Sequence, residues 1–414
     1  MPAKLLSSVA AILLLSVGPA LAQEADNTVI NSIADAIMNG EVTLDLRYRL
    51  ETVEQDGFAK DATASTLRTK LKYVTGEYKG FSAVLEFDNV TQIGVGDYNS
   101  TVNGKTMYPV IADPLITEVN QFHLAYTGID NTTLLAGRTA LNLNNQRFVG
   151  TVGWRQNDQT WDMVGGITSP IKDLKLTYGY VWNVNRIFGD DHPFGDLDTN
   201  THILNAEYTG FELGKLTAYG LMIDLNDMPV FGLSSQTFGV RFEGQQEIGT
   251  QGMKVMYEAE IATQSDYQDN PNSYAANYYH LSGGLSAHGF TGKLGYEVLG
   301  SDNGSSFQTP LATLHKFNGW ADKFLGTPAG GLEDKYAAAS YKVGADGPFK
   351  GLKFDAIYHD FSAETGGDYG TEIDLQVSKS FMKYYVLGLK FADYSSDGLA
   401  TDTQKLWLTL GVKY

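Results

Sequence analysis

EVTLDLRYRLE, residues 41–51, alternates without a break, with Val42, Leu44, Leu46, Tyr48 and Leu50 on one side and Thr43, Asp45, Arg47, Arg49 and Glu51 on the other. A strand turns successive side chains to opposite faces, so this segment presents one apolar face and one charged face. The charged face carries arginine beside aspartate and glutamate, which suits water rather than a packed core.

The same pattern recurs to the end of the chain. Leu67, Leu71 and Tyr73 alternate with Arg68, Lys70 and Lys72; Phe81, Ala83, Leu85 and Phe87 with Ser82, Glu86 and Asp88; Met253, Val255, Tyr257, Ala259 and Ile261 with Lys254, Glu258 and Glu260. The connections decide between a soluble sandwich and a membrane barrel. Short ones, such as 76–80, 128–131, 169–173, 288–289 and 379–383, alternate strictly with long ones, such as 94–118, 139–158, 185–200 and 299–334. Tight turns on one side and long loops on the other are what an up-and-down outer-membrane barrel requires. The expectation is an all-β fold, a transmembrane antiparallel β-barrel of 18 strands, with 16 if one hairpin is miscounted. Lipid offers the backbone no hydrogen-bond partner, so such a sheet must close on itself. Tyr48, Tyr73, Phe87, Trp182, Tyr208 and Tyr394 are expected as aromatic girdles at the two interfaces.

Upstream of the barrel, MPAKLLSSVAAILLLSVGPALAQ carries Lys4, an apolar core and Ala20-Leu21-Ala22, the marks of a secretory signal over residues 1–22. Residues 23–40 form an N-terminal periplasmic segment, in which Val29, Ile30, Ile33, Ile37 and Met38 have helical spacing before Gly40. Residues 41–414 are the barrel. A formal net charge of −18 disfavours nucleic acid as a partner. The absence of cysteine excludes disulfides and thiolate-bound zinc. No cofactor motif is present, and bacterial outer-membrane lipid and lipopolysaccharide are the expected surroundings.

Against this acidic background, Leu134–Asn157 contains no acid and holds Arg138, Arg147 and Arg155. The stretch is too long for a hairpin turn and rich in amides that can bond both a wall and a solute. It is expected to fold into the lumen, the alternative being a basic surface loop. Together with the inward residues of the first two strands, it gives an expected pore-lining set of Arg47, Arg49, Arg68, Lys70, Lys72, Arg138, Arg147 and Arg155. Glu86, Asp88, Glu258, Glu260, Glu372 and Asp374 are the available lumenal countercharges.

LNLNNQRFVGTVGWRQNDQTWD (141–162), the loop within Tyr296–Tyr336, LRYRLE (46–51) and STLRTKLKY (65–73) resemble the alginate-export-like family of outer-membrane porins. That resemblance implies an 18-stranded monomeric barrel with an arginine-lined pore, a trimer being the alternative, without implying that this chain carries alginate. The alternating run ending at Tyr414 likewise resembles the C-terminal targeting signal of outer-membrane proteins.

Three other chemistries compete. His280 and Ser282 share a strand face, as a lipid-hydrolase site on a barrel wall would need. Asp190, Asp191, His192, Asp266, Asp269 and Asp302 offer carboxylates to Ca²⁺ or bridging lipopolysaccharide, without the spacing of a calcium loop. Thr309-Pro310 before Leu311, Leu314, His315 and Phe317 reads as the start of a short helix in the longest loop, lying on the rim or over the pore as a lid. The leading reading is a porin for small polar or anionic solutes, plausibly acidic sugars. The alternatives are a lipid hydrolase and a structural or adhesive barrel closed by its loops.

Overall fold

The computed structural model describes residues 30–227, 230–249 and 252–414, so the signal segment 1–22 lies outside the described residues. The helix expected from Asn27 forms as α1 (Ile33–Met38), with Asn27–Val29 again outside the described residues. Ser32 caps it by accepting from Asp35 N at 3.0 Å. It is fixed beneath the first short turn, where Gly76 N donates to Ala36 O at 2.9 Å and Tyr73 donates to Ile37 O.

The strands follow in order: β1 (Glu41–Gln55), β2 (Ala62–Val74), β3 (Phe81–Asp97), β4 (Thr117–Ile129), β5 (Thr132–Thr139), β6 (Thr160–Ile171) and β7 (Leu174–Asn185). Next come β8 (Asp196–Phe211), β9 (Gly214–Ile223), β10 (Ser235–Ile248), β11 (Met253–Asp266), β12 (Ala275–Ala287) and β13 (Phe290–Leu299). A two-residue hairpin of β14 (Ser301–Asp302) and β15 (Ser305–Ser306) stands apart in the longest loop. The sheet resumes with β16 (Leu332–Lys342), β17 (Lys353–Ser362), β18 (Asp368–Phe381), β19 (Tyr385–Ser396) and β20 (Thr403–Lys413).

Eighteen of these strands form one antiparallel sheet among the described residues. β1 pairs with β2 on one side and, from Asp45↔Lys413 to Gln55↔Thr403, with β20 on the other, which closes the barrel and leaves no free edge. At one of the two-residue turns, His288 (φ 51) and Gly289 (φ 86) both take positive φ, the conformation a type I′ hairpin demands.

The alternation read at residues 41–51 holds around the barrel. Val42, Leu44, Leu71, Phe87, Trp182, Ile261, Leu281 and Leu294 are exposed outside, whereas Arg49, Glu51, Arg68 and Lys70 are buried inside. A closed barrel with an apolar outer band belongs in a bacterial outer membrane, short turns towards the periplasm and long loops outside. Tyr394 departs from the expected girdle. It shares the inward face of Lys390 and Ala392, is fully buried, and donates to Tyr369 O at 2.6 Å and Leu399 O at 2.8 Å. The face opposite, with Leu387, Leu389 and Phe391, is also apolar, so the sequence does not fix the phase of β19.

The largest buried apolar cluster sits inside the barrel. Leu141, Phe148, Val149, Phe307, Leu311 and Phe324 come from two external loops and pack against inward wall residues such as Trp161, Tyr278 and Trp407. The lumen is therefore largely filled by loop.

Candidate functional site

The loop between β5 and β6 enters the lumen because the wall supplies donors for its carbonyls. Arg47 donates to Gly153 O at 2.8 Å and to Arg155 O. Arg49 donates to Trp154 O at 2.7 Å and lays its guanidinium over the Trp154 ring, 4.2 Å from the centroid. Gln156 answers from the loop with a 2.8 Å bond to Thr66 Oγ1. The loop's carbonyls thus accept from the wall guanidiniums while its amide side chain donates back to the wall, which satisfies buried polar groups on both partners.

The loop between β13 and β16 interlocks with it. Gly150 N donates to Leu311 O at 3.0 Å and Val152 N to Thr313 Oγ1 at 3.1 Å. Arg147 joins both loops to the wall, reaching Glu297 at 2.8 Å, Thr309 at 3.0 Å and Asn318 at 3.1 Å. The helix expected from Thr309 does not form: Thr309 Oγ1 serves Arg147 instead of capping, and a three-residue 3₁₀ turn, Leu314–Lys316, is all that appears. The segment after it crosses the lumenal side of β18–β20: Trp320 N and Ala321 N donate to Asp374 (3.2 Å) and Glu372 (2.7 Å) of β18, and Asp322 accepts from Lys405 of β20 at 2.7 Å. Gly319 (φ 85) is required at this crossing, because a Cβ there would run into the Glu372 carboxylate.

These loops divide the free lumen. An external chamber of ≈ 720 Å³ is lined by Arg155, Arg186, Phe188, His315, Lys323 and Lys405 among others. A periplasmic chamber of ≈ 450 Å³ is lined by Arg47, Arg49, Arg68, Trp154, Lys390 and Lys413 among others. Between them Lys390 Nζ lies 2.7 Å from His315 Nε2. A third space of ≈ 350 Å³ lies against the acidic wall of Glu258, Glu297 and Asp334.

The expected pore-lining residues are thereby separated. Arg47, Arg49 and Arg68 border the periplasmic chamber and Arg155 the external one. Arg68 pairs with Asp45 at 2.7 Å, and Lys70 with Asp158 and with Asp88 at 3.6 Å. Lys72 faces Glu86 across the β2–β3 register. Arg147, 1% exposed, borders no chamber. Burial lowers its guanidinium, but Glu297 and Tyr278 outweigh this and hold it above the ordinary range. Burial acts likewise on Arg155, where Glu51, Asp113 and Asp322 more than compensate. Arg138 stands on the outward face of β5 with exposed Leu134, bound bidentately to Asp162 at 2.8 and 3.1 Å. The pleat sets this: inward Leu135 and Thr139 differ from it in parity.

Sequence reading missed Arg186, which opens the loop after β7. Its Nε is buried without a hydrogen-bond partner, Phe188 lies beneath the guanidinium at 4.8 Å, and burial pulls its pKa down to about 10. Nothing in its local sequence distinguishes it from a solvated loop arginine. Lys390, Trp320 and Trp407 were missed for the same reason, since they converge only when the barrel closes.

The competing chemistries do not assemble. His280 bonds Glu258 at 3.1 Å and Tyr336 at 3.0 Å, leaving neither ring nitrogen for Ser282. Asp266 and Asp302 cap loop backbone, accepting from Tyr274 N at 3.1 Å and Ala275 N at 2.9 Å. Glu258, Glu260 and His280 bring ligand atoms within 4.8 Å of one another, but Arg241, 3.0 Å from Glu258 and 3.8 Å from Glu260, already supplies the cation.

This fold, a closed 18-stranded antiparallel barrel with inward loops, has the architecture of an outer-membrane β-barrel. It is similar to Acinetobacter baumannii OccAB2, with TM-score 0.72 and 16% identity over 92% of this chain and 99% of that one. Pseudomonas aeruginosa OccK9 (OpdG) gives 0.69 and 16%, covering 92% and 100%. Pseudomonas aeruginosa OpdK, solved with vanillate, gives 0.69 and 13%, covering 90% and 98%. At such identities the likeness establishes the fold. No protein-family model and no curated protein matches the sequence. The alginate-export-like resemblance finds no support in these neighbours, which are Occ and Opd proteins. Alternating strands are common to all such barrels, and amide-rich loops recur wherever a loop must satisfy its backbone inside a lumen.

Proposed function

We propose that the chain is a passive-diffusion channel for small polar and anionic solutes, with organic carboxylates, acidic sugars among them, the favoured class. The observation that carries this reading is that cations line the chambers on both sides of the narrowest section, although the whole chain is acidic. In a narrow passage with low-dielectric walls, near fixed charges outweigh distant ones, which are screened over ~8 Å at physiological salt. Arg186 and Arg49 each keep a buried Nε without a partner, and a guanidinium offers a carboxylate two parallel donors. The vanillate bound to OpdK, itself a carboxylate, agrees with this class. Swelling of liposomes containing the protein tests it: uronates and aromatic carboxylates should enter faster than neutral sugars of equal size. Equal or slower entry of the carboxylates would remove the proposed preference.

A second reading, a barrel closed by its own loops, draws on the direct Lys390–His315 contact between the chambers. Conductance in planar bilayers separates the two, since a permanently plugged barrel passes no current.

A further inference from the structure

The external and periplasmic chambers have no lining residue in common, and what lies between them is a stack of side chains. His315 stacks on Trp154 with centroids 4.3 Å apart and planes 8° off parallel, and meets Trp407 edge-on at 5.7 Å. Lys390 sits against the faces of Trp154 (4.0 Å) and Trp320 (3.5 Å) and points its ammonium at His315. Two loops and two strands thus meet at one imidazole.

With Lys390 as the ammonium, the bonding assigns the ring its protonation state. Nδ1 lies 2.6 Å from Asp322 Oδ1, an acceptor, so Nδ1 carries the hydrogen. Nε2 lies 2.7 Å from Lys390 Nζ, a group with only donors, so Nε2 must offer its lone pair. A neutral imidazole satisfies both partners. A proton on Nε2 would leave two donors face to face and put two cations in contact.

Resting on the channel reading above, we propose that the Lys390–His315 bond holds the passage in a low-conductance state at neutral pH and that protonation of His315 in acid breaks it and widens the channel. The surrounding charges set the direction and the threshold. Asp322 favours the imidazolium but is already engaged by Lys405 at 2.7 Å and Arg155 at 3.5 Å. Lys390 faces the ring directly, Arg49 lies behind Trp154, and Glu372 and Asp374 of the adjacent strand β18 act on Lys390. Burial, followed by the Lys390 and Arg155 cations, lowers the imidazole well below its ordinary range although Asp322 opposes them, so opening belongs well below pH 6.5.

Single-channel recording of the full chain between pH 7 and pH 4 tests the gate, with heat-modifiable gel mobility confirming that each variant is folded. Wild type should show a several-fold rise in conductance or open probability on acidification. His315→Gln can still donate to Asp322 and accept from Lys390 but cannot titrate, and should stay in the low-conductance state across the range. His315→Ala should be open at pH 7 with no acid response. A flat wild-type profile, or an acid response retained in His315→Gln, would overturn the gate while leaving the channel reading standing. No current from wild type or His315→Ala at any pH would instead remove the channel reading, and the gate with it.

Discussion

Removing Arg147 should release both inward loops at once. Its guanidinium is 1% exposed and makes three side-chain bonds, to Glu297, Thr309 and Asn318, which tie the loop after β5 to the loop after β13 and to the wall. Arg147→Ala leaves Glu297 as an uncompensated carboxylate in the interior. Breaking a buried pair in this way costs ~3–5 kcal/mol. The barrel itself, closed by eighteen paired strands, is not involved, so the cost falls on loop docking. Each 1.4 kcal/mol is about a factor of ten, so the undocked population should rise by about two to four orders of magnitude. Limited trypsin digestion of the folded protein reads that population when reclosing is fast relative to cleavage. Arg155 and Lys316, one on each loop, are the reporter sites, and both should become cleavable together in Arg147→Ala. Arg147→Met combined with Glu297→Gln leaves no orphan charge and should recover much of the protection. Cleavage of Arg147→Ala within a few-fold of wild type would refute the reasoning, because the arginine would then not be what holds the loops.

Three further outcomes are expected. Burial and the neighbouring Lys405 lower Lys323 in the external chamber to about 8; its charge is present below that pH and lost above it, so anion preference should fall from pH 7 to pH 9 in wild type and stay level in Lys323→Gln. Gly319→Ala forces a side chain into a positive-φ position against Glu372, a strain of ~1–3 kcal/mol, and should raise cleavage at Lys316; unchanged protection would mean that the crossing tolerates a Cβ. Epitope tags at Asp190 or Asn303 should be reached by antibody on intact cells and a tag at Asp346 should not, whereas labelling at Asp346 would invert the topology.

The fold was legible because a barrel wall is a local code. Alternation at Glu41–Glu51 and a two-residue turn at His288–Gly289 each reflect contacts close in sequence, and closure follows from the backbone's need for partners in lipid. The lumen obeys different rules. Arg147 meets Glu297 across 150 positions and Lys390 meets His315 across 75, distances over which no spacing carries a signal. The absence of acids from Leu134 to Asn157 correctly marked an inward loop, but it did not show that Arg147 and Arg155 would be consumed by ion pairs. Arg138 shows the limit of counting charges without pleat parity, since one residue either way would have turned it inward. Where loops fill the lumen, both faces of a strand turn apolar, and the phase of β19, with Tyr394, could no longer be read.

The central claim is a cation-lined passage through an acidic barrel, and the reversal potential of the wild-type channel in a KCl gradient tests it most directly. The account predicts a sign showing chloride preference, largest at low salt where screening is weakest, and reduced in Arg49→Glu with Arg186→Glu. A preference for potassium, or a potential that the two substitutions leave unchanged, would contradict it and assign selectivity to the acidic wall of Glu258, Glu297 and Asp334.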